Sequence, residues 1–206
     1  MIRSSLFILS KFLSNIPMEQ LTKASCRLKA RELLAAMSPK ARADASARIC
    51  ARIQTLESWT DALTVGLYAA QSFEPNLAAL LAVPGKKFCF PRVSGVIIDF
   101  HRCDSMDQLR SNSWKLLEPD PDRCPIVPAT DLDLFCIPGL AFTRCGVRLG
   151  RGTGYYDRFL ARVHPQAAKL GICFHAQLLP DLPLENHDSA MDQIITETGI
   201  TGCAEA

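Results

Sequence analysis

Residues 19–37 (EQLTKASCRLKARELLAAM) mix apolar and charged positions without an internal Gly or Pro and are rich in Ala, Leu, Lys, Arg and Glu, which predicts a helix. Ser38 followed by Pro39 then reads as an N-cap with proline at the first helical position. The helix that follows should run to about Leu56, with Ile49, Ile53 and Leu56 on one face at i, i+4 and i+7. After it the pattern changes to short apolar runs: TVGLYAA (64–70), KKFCFPRV (86–93), VIIDFHRC (96–103), DLFCIPGLAF (133–142) and KLGICFHA (169–176), each predicting a strand. Helix-like segments PNLAALLAV (75–83) and YYDRFLARVH (155–164) lie between them. Near-continuous apolar strands that alternate with helices predict an α/β fold, an open and mainly parallel sheet with helices on both faces. Ser94 and Gly95, between two strand-like runs, suit a hairpin turn and make a mixed sheet an expected variant. The proline-rich EPDPDRCPIVP (118–128) reads as a surface loop.

Length and composition agree with one domain: 206 residues, 48% hydrophobic and 21% charged. A formal charge of +2 argues against a nucleic-acid or anionic-membrane surface, so any anion binding is expected to be local. The nine cysteines are scattered singly, without a C-x-x-C pair, which argues against a disulfide framework or a zinc site; they read as small buried hydrophobes in a reducing, cytoplasmic setting. Residues 1–18 carry Arg3 and Lys11 but no acid and are rich in serine and apolar side chains. Their apolar part is interrupted at Ser10 and Lys11, so they are expected to form a flexible extension or an over-long start, with an organellar transit peptide as the alternative. His101, His164, His175 and His187 show no spacing that demands catalysis and read as loop or strand-end residues.

The densest chemistry is GVRLGRGTGYYDRF (146–159), with four glycines, three arginines, two tyrosines and one aspartate between a predicted strand and a predicted helix. Glycines let a ligand approach the main chain, and successive N–H groups ahead of a helix form an anion-binding concavity. Arg144, Arg148 and Arg151 add guanidinium groups suited to phosphate oxygens, and Asp157 in the first helical turn suits a magnesium ion beside a polyphosphate. A solvated loop between strand and helix is the bland alternative. No G-K-[ST] closes the loop, so it is not a P-loop.

At full length PGLAFTRCGVRLGRGTGYYDRFL (138–160) resembles the signature of the 5-formyltetrahydrofolate cyclo-ligase family. KASCR (23–27), LYAAQSFE (67–74), FPRV (90–93), LLEP (116–119) and LPLENHDSAMDQIITE (182–197) resemble further family landmarks in the same order. The resemblance implies a three-layer α/β sandwich formed by residues 19–206 and an ATP- and magnesium-dependent closure of 5-formyltetrahydrofolate to 5,10-methenyltetrahydrofolate, with release of ADP and phosphate. It places ATP on Lys23, Ala24, Ser25, Cys26 and Arg27 and on Arg148, Leu149, Gly150, Arg151, Gly152, Thr153, Gly154, Tyr155 and Tyr156. The folate falls on Ala69, Glu74, Trp114 and the run from Arg151 to Tyr155, magnesium on Asp157 and Asp192, and catalytic roles on Arg148 and Tyr155. It also implies small-molecule partners, with neither nucleic acid nor membrane, and a monomer or weak homo-oligomer.

Three positions depart from the family pattern: Thr153 stands in a usual triple glycine, which is expected to reduce backbone freedom there, Cys26 replaces a leucine and Thr143 an aspartate. A non-catalytic folate or nucleotide binder on the same scaffold is the rival reading, and a sugar-phosphate isomerase a third.

Overall fold

A computed structural model describes residues 22–185 and 188–202. The segment 1–18, and Cys203 and His187 with it, lie outside the described residues.

Helix α1 (Lys23–Ala35) opens with a capping box between Thr22 and Ser25. Helix α2 (Pro39–Ile53) starts at Ser38, whose Oγ accepts from Ala41 N, and ends three residues before Leu56; Ile49, Ile53 and Leu56 are all buried, as their spacing predicts. A short α3 (Glu57–Asp61) follows. The strands are β1 (Thr64–Gly66), β2 (Lys87–Ser94), β3 (Ile97–Arg102), β4 (Leu109–Ser111), β5 (Leu117–Pro119), β6 (Ile126–Val127), β7 (Leu134–Pro138), β8 (Ala141–Phe142) and β9 (Arg148–Leu149). After helix α4 (Tyr155–Leu160) come β10 (Ala168–Ile172), β11 (Gln193–Ile195) and β12 (Ile200–Gly202).

Eight strands form one sheet in the order β12-β11-β10-β7-β1-β2-β3-β6. The five central strands, β11 through β2, run parallel, while β12 pairs antiparallel with β11 at one edge and β3 and β6 add antiparallel at the other. The sheet is therefore mixed, with the hairpin turned at Gly95 (φ 60°) and Val96. Side chains alternate across it. On β7, Leu134 and Cys136 join α2 and α3 through Ile49, Ile53 and Trp59, whereas Phe135 and Ile137 face α4. There Phe100, Phe135 and Phe159 meet with ring centroids 4.8–5.5 Å apart. Helices on both faces of the sheet give the expected three layers.

Several expected elements are shorter. The run 64–70 pairs only to Gly66, and 133–142 breaks at Gly139 into β7 and β8 because both segments leave the sheet at the same end. Residues 75–83 hold one 3-10 turn, Ala78–Ala82, and α4 stops at Leu160. The 118–128 stretch is not a surface loop throughout. It contains the end of β5 and all of β6, and buries Glu118, Asp120 and Cys124; Asp120 pairs with Arg110 at 2.8 Å. Of the eight described cysteines seven are buried, but Cys145 is exposed in the β8–β9 turn. His101 lies inside β3, buried, with Nδ1 2.8 Å from Cys124 O.

Candidate active site

The central strands are parallel, so their C-terminal ends share one edge, and a cleft of about 820 Å³ opens there, where open α/β sheets place ligands. Its floor is formed by the segments leaving β1 and β7, and one wall by the glycine loop between β9 and α4.

Arg148, on β9, is buried in that wall. Its Nη2 donates to Asp157 Oδ1 (2.6 Å), its Nη1 to Pro138 O (3.3 Å), and its guanidinium lies 5.5 Å from the Tyr156 ring centre. Arg148 Nε is buried with no hydrogen-bond partner among the described residues. Gly150 makes room for this: a Cβ there would stand 3.0 Å from Arg148 Nη1. At the head of α4, Gly154 is left-handed (φ 67°) and turns the loop into the helix. Arg158 ties the loop down by donating to Thr153 O and to Val96 O in the β2–β3 turn.

Two elements close on the loop from opposite sides. Arg27, one turn after Lys23 on α1, donates Nε to Gly150 O (3.0 Å). Lys23 reaches Asp188 (2.8 Å) and Glu185 (3.2 Å). Burial opposes the Lys23 charge, yet the hydrogen bonds and charges of the two acids together outweigh it and hold the ammonium above its ordinary pKa. From the segment after β1, Gln71 and Glu74 each take one nitrogen of Arg151, at 2.7 and 2.8 Å, and the second Glu74 oxygen accepts from Gln71 N. Burial, reinforced by the Glu74 charge, pushes the Tyr68 and Tyr156 phenols up, so both remain neutral donors. Pro91, Val93, Ile98 and Leu117 make part of the lining apolar; Trp114, also in the lining, is exposed, and Glu118 is buried.

Most of the expected site residues meet here: Lys23, Arg27, Ala69, Glu74, Trp114 and the whole run from Arg148 to Asp157 line the cleft. Four do not. Ala24, Ser25 and Cys26 stay out of the lining, because only positions four apart on α1 face the loop; Ser25 is spent on the cap, and Cys26 packs with Ala30, Leu140 and Leu149. Asp192 is the larger correction. It precedes β11 at the N-terminal end of the parallel strands, where its carboxylate accepts from Lys169 N (2.6 Å) and lies 3.5 Å from Lys169 Nζ. Asp157 is at the other end of the sheet, so the two carboxylates are not brought together. Arg144, in the β8–β9 turn, is likewise outside the lining.

The departures from the family pattern are accommodated. Lys115 is the one described non-glycine residue with positive φ, so Thr153 occupies a backbone conformation open to any residue. Thr143 is buried, and its Oγ1 accepts from Val147 N to shape the β8–β9 turn. Sequence reasoning missed Gln71, Glu118, Glu185 and Asp188; the last two lie in the 182–197 run, beside the aspartate singled out instead.

The family model described as "5-formyltetrahydrofolate cyclo-ligase family" matches residues 19–197. The chain is 28% identical over 189 residues to the mouse 5-formyltetrahydrofolate cyclo-ligase, covering 85% of this chain and 93% of that protein. It is 39% identical over 112 residues to the mitochondrial enzyme of that name from Arabidopsis thaliana, covering 46% of this chain and 40% of that protein. The NMR structure of Aquifex aeolicus 5,10-methenyltetrahydrofolate synthetase superposes with a TM-score of 0.79 at 28% identity, over 89% of this chain and 94% of that one. A glycine loop at the C-terminal edge of a three-layer sandwich, a family match across almost the whole described chain and a solved relative that superposes over most of both chains lead to one assignment: the chain belongs to the 5-formyltetrahydrofolate cyclo-ligase family.

Proposed function

We propose that this cleft closes 5-formyltetrahydrofolate to 5,10-methenyltetrahydrofolate, coupled to conversion of ATP to ADP and phosphate. The observation that carries the reading is the convergence of Lys23, Arg27, Arg148 and Arg151 on one cleft with the glycine loop, together with the apolar side chains of Pro91, Val93, Ile98 and Leu117. The cations suit a polyphosphate and the apolar side chains a flat heterocycle.

In this reading the formyl oxygen takes the terminal phosphoryl group of ATP, folate N10 then bonds to the formyl carbon and gives up its proton, and phosphate departs with that oxygen and carries the proton away. No protein nucleophile is needed, so positioning and charge stabilisation fall to the chain. Arg148 is held rigid by Asp157, Pro138 O and Tyr156, and its unpartnered Nε leaves a donor for a phosphate oxygen. Arg151, braced by Gln71 and Glu74, approaches from the other side. Tyr155, whose hydroxyl donates to Gly95 O (3.2 Å), lines the same cleft.

Among the described residues no three acids, histidines or cysteines form a metal cluster, but magnesium bound with a nucleotide needs one or two carboxylates beside phosphate oxygens and water. Asp157 meets that requirement within the cleft and Asp192 does not. When bound, magnesium neutralises charge that develops on the phosphates.

Appearance of methenyltetrahydrofolate absorbance tests the reading. Product should form only with 5-formyltetrahydrofolate, ATP and magnesium all present. Asp157→Asn, which retains an acceptor for Arg148, should raise the magnesium needed for half-maximal rate and cut turnover about 100-fold, while Asp192→Asn should leave both near wild type. A folded protein that binds ATP yet forms no product would favour the non-catalytic binder. Loss of activity in Asp192→Asn with Asp157→Asn unaffected would reverse the metal assignment.

A further inference from the structure

The acids lining the cleft are not alike. Glu74 pairs with Arg151, Asp157 with Arg148, and Glu185 and Asp188 with Lys23. Glu118 is buried, 8% exposed, and its one hydrogen-bond partner among the described residues is Val93 N, which donates to Oε1 at 3.2 Å; none of the described cations forms a salt bridge with it. Its neighbour on the hairpin, Asp120, takes Arg110 instead. A carboxylate has about four acceptor sites, and Oε2 of Glu118 is not among the buried atoms left without a partner, so it remains open to the cleft.

We infer that Glu118 is the specificity residue for the heterocycle of the folate, accepting the two adjacent N–H donors, the 2-amino group and N3–H, of its 2-amino-4-oxo ring. The inference rests on the activity proposed above and deepens it. Pro91, Val93 and Ile98 supply apolar contacts for the ring faces around the carboxylate. With the N2–N3 edge held at Glu118, the N5 and C6 end of the ring points away from it into the cleft that Arg148 and Arg151 also line. The same carboxylate excludes adenine, whose amino group sits beside a ring nitrogen lone pair rather than a second N–H, and so keeps the nucleotide beside the cations. Glu74, with both oxygens already engaged, is left to brace Arg151.

Glu118→Gln is the informative variant, because its amide oxygen still accepts from Val93 N–H while its NH₂ group confronts the ring donors. KM for 5-formyltetrahydrofolate should rise roughly 10- to 100-fold with KM for ATP within about twofold, the expected loss for hydrogen bonds to a charged acceptor. The wild-type protein should also bind 5-formyltetrahydrofolate at least about tenfold more tightly than its 2-desamino analogue, a preference that collapses in the variant. If the wild type turns over but does not distinguish the analogue, or if Glu118→Gln leaves the folate KM unchanged, Glu118 is not the anchor, whereas the proposed activity stands. A wild type that neither binds nor converts 5-formyltetrahydrofolate overturns both. The analogue comparison on the wild type decides the matter even if the variant does not fold.

Discussion

Arg148 concentrates the site's energetics in one side chain. Only 4% of that side chain is exposed, and Asp157 is its one salt-bridge partner among the described residues, so the guanidinium is fixed by geometry rather than by solvent. Removing one member of a buried pair strands the other, typically at several kcal/mol, but Asp157 faces the cleft and can recover water. Arg148→Ala should therefore lower stability by only about 1–3 kcal/mol and still fold, while turnover drops about 100- to 1000-fold, the range for losing a preorganised donor. Arg148→Lys should restore most of the stability and little of the rate, since an ammonium cannot occupy Asp157, Pro138 O and a phosphate oxygen with a rigid fork. Turnover and thermal midpoint measured on both variants separate the two effects. Full turnover in Arg148→Ala would remove Arg148 from the chemistry.

At the scale of elements, the strand, loop and helix unit from β9 to α4 depends on one backbone conformation. Gly154 holds φ 67°, and a Cβ there would also sit 2.7 Å from Arg158 Nη1, the side chain that ties the loop to Val96 O. An alanine pays the left-handed penalty of about 1–2 kcal/mol, and Arg158 must swing away. Gly154→Ala should lower the thermal midpoint accordingly and raise KM for ATP more than KM for the folate; an ATP KM that does not move would show that the loop tolerates a different entry into α4. This unit was legible in the sequence because its glycines, arginines and helix start are contiguous. The α1 and α2 helices were legible for the same reason, with Ser38, Pro39, Ile49 and Ile53 marking the start and buried face of α2. What escaped depends on direction and depth. Asp192 came from the family resemblance alone, which does not say which end of the sheet a residue occupies, and the three-residue β11 is too short to show a period; its carboxylate lies 3.5 Å from Lys169 Nζ instead of beside Asp157. Glu118 was hidden because prolines dominate 118–128, and a three-residue strand such as β5 is too short to show a period.

For the whole molecule, seven of the eight described cysteines are buried, six in the two apolar layers that flank the sheet and Cys26 beside Ala30, Leu140 and Leu149, and these thiols link fold stability to pH. Burial pushes Cys50 up from 9.0 to about 11 and Cys89 to about 12, and raises Cys26, Cys103, Cys136 and Cys173 as well. Below pH 9 both folded and unfolded chains keep the Cys50 proton, and its ionisation changes nothing. Between pH 9 and about 11 the unfolded chain has lost a proton that the folded chain retains, so stability falls as pH rises, by up to about 1.4 kcal/mol per pH unit for each such thiol. Urea unfolding under reducing conditions, from pH 7.5 to 10.5, should thus show a decline that steepens past pH 9. Cys50→Ala forfeits packing between α2 and the Asn76 segment, but that cost is the same at every pH, so the slope isolates the thiol. The variant should start less stable and lose stability more slowly by close to one proton's worth, while Cys145→Ser, in the exposed β8–β9 turn, supplies the control. A slope unchanged by Cys50→Ala would mean that this thiol ionises as readily in the native layer between α2 and the sheet as in the unfolded chain.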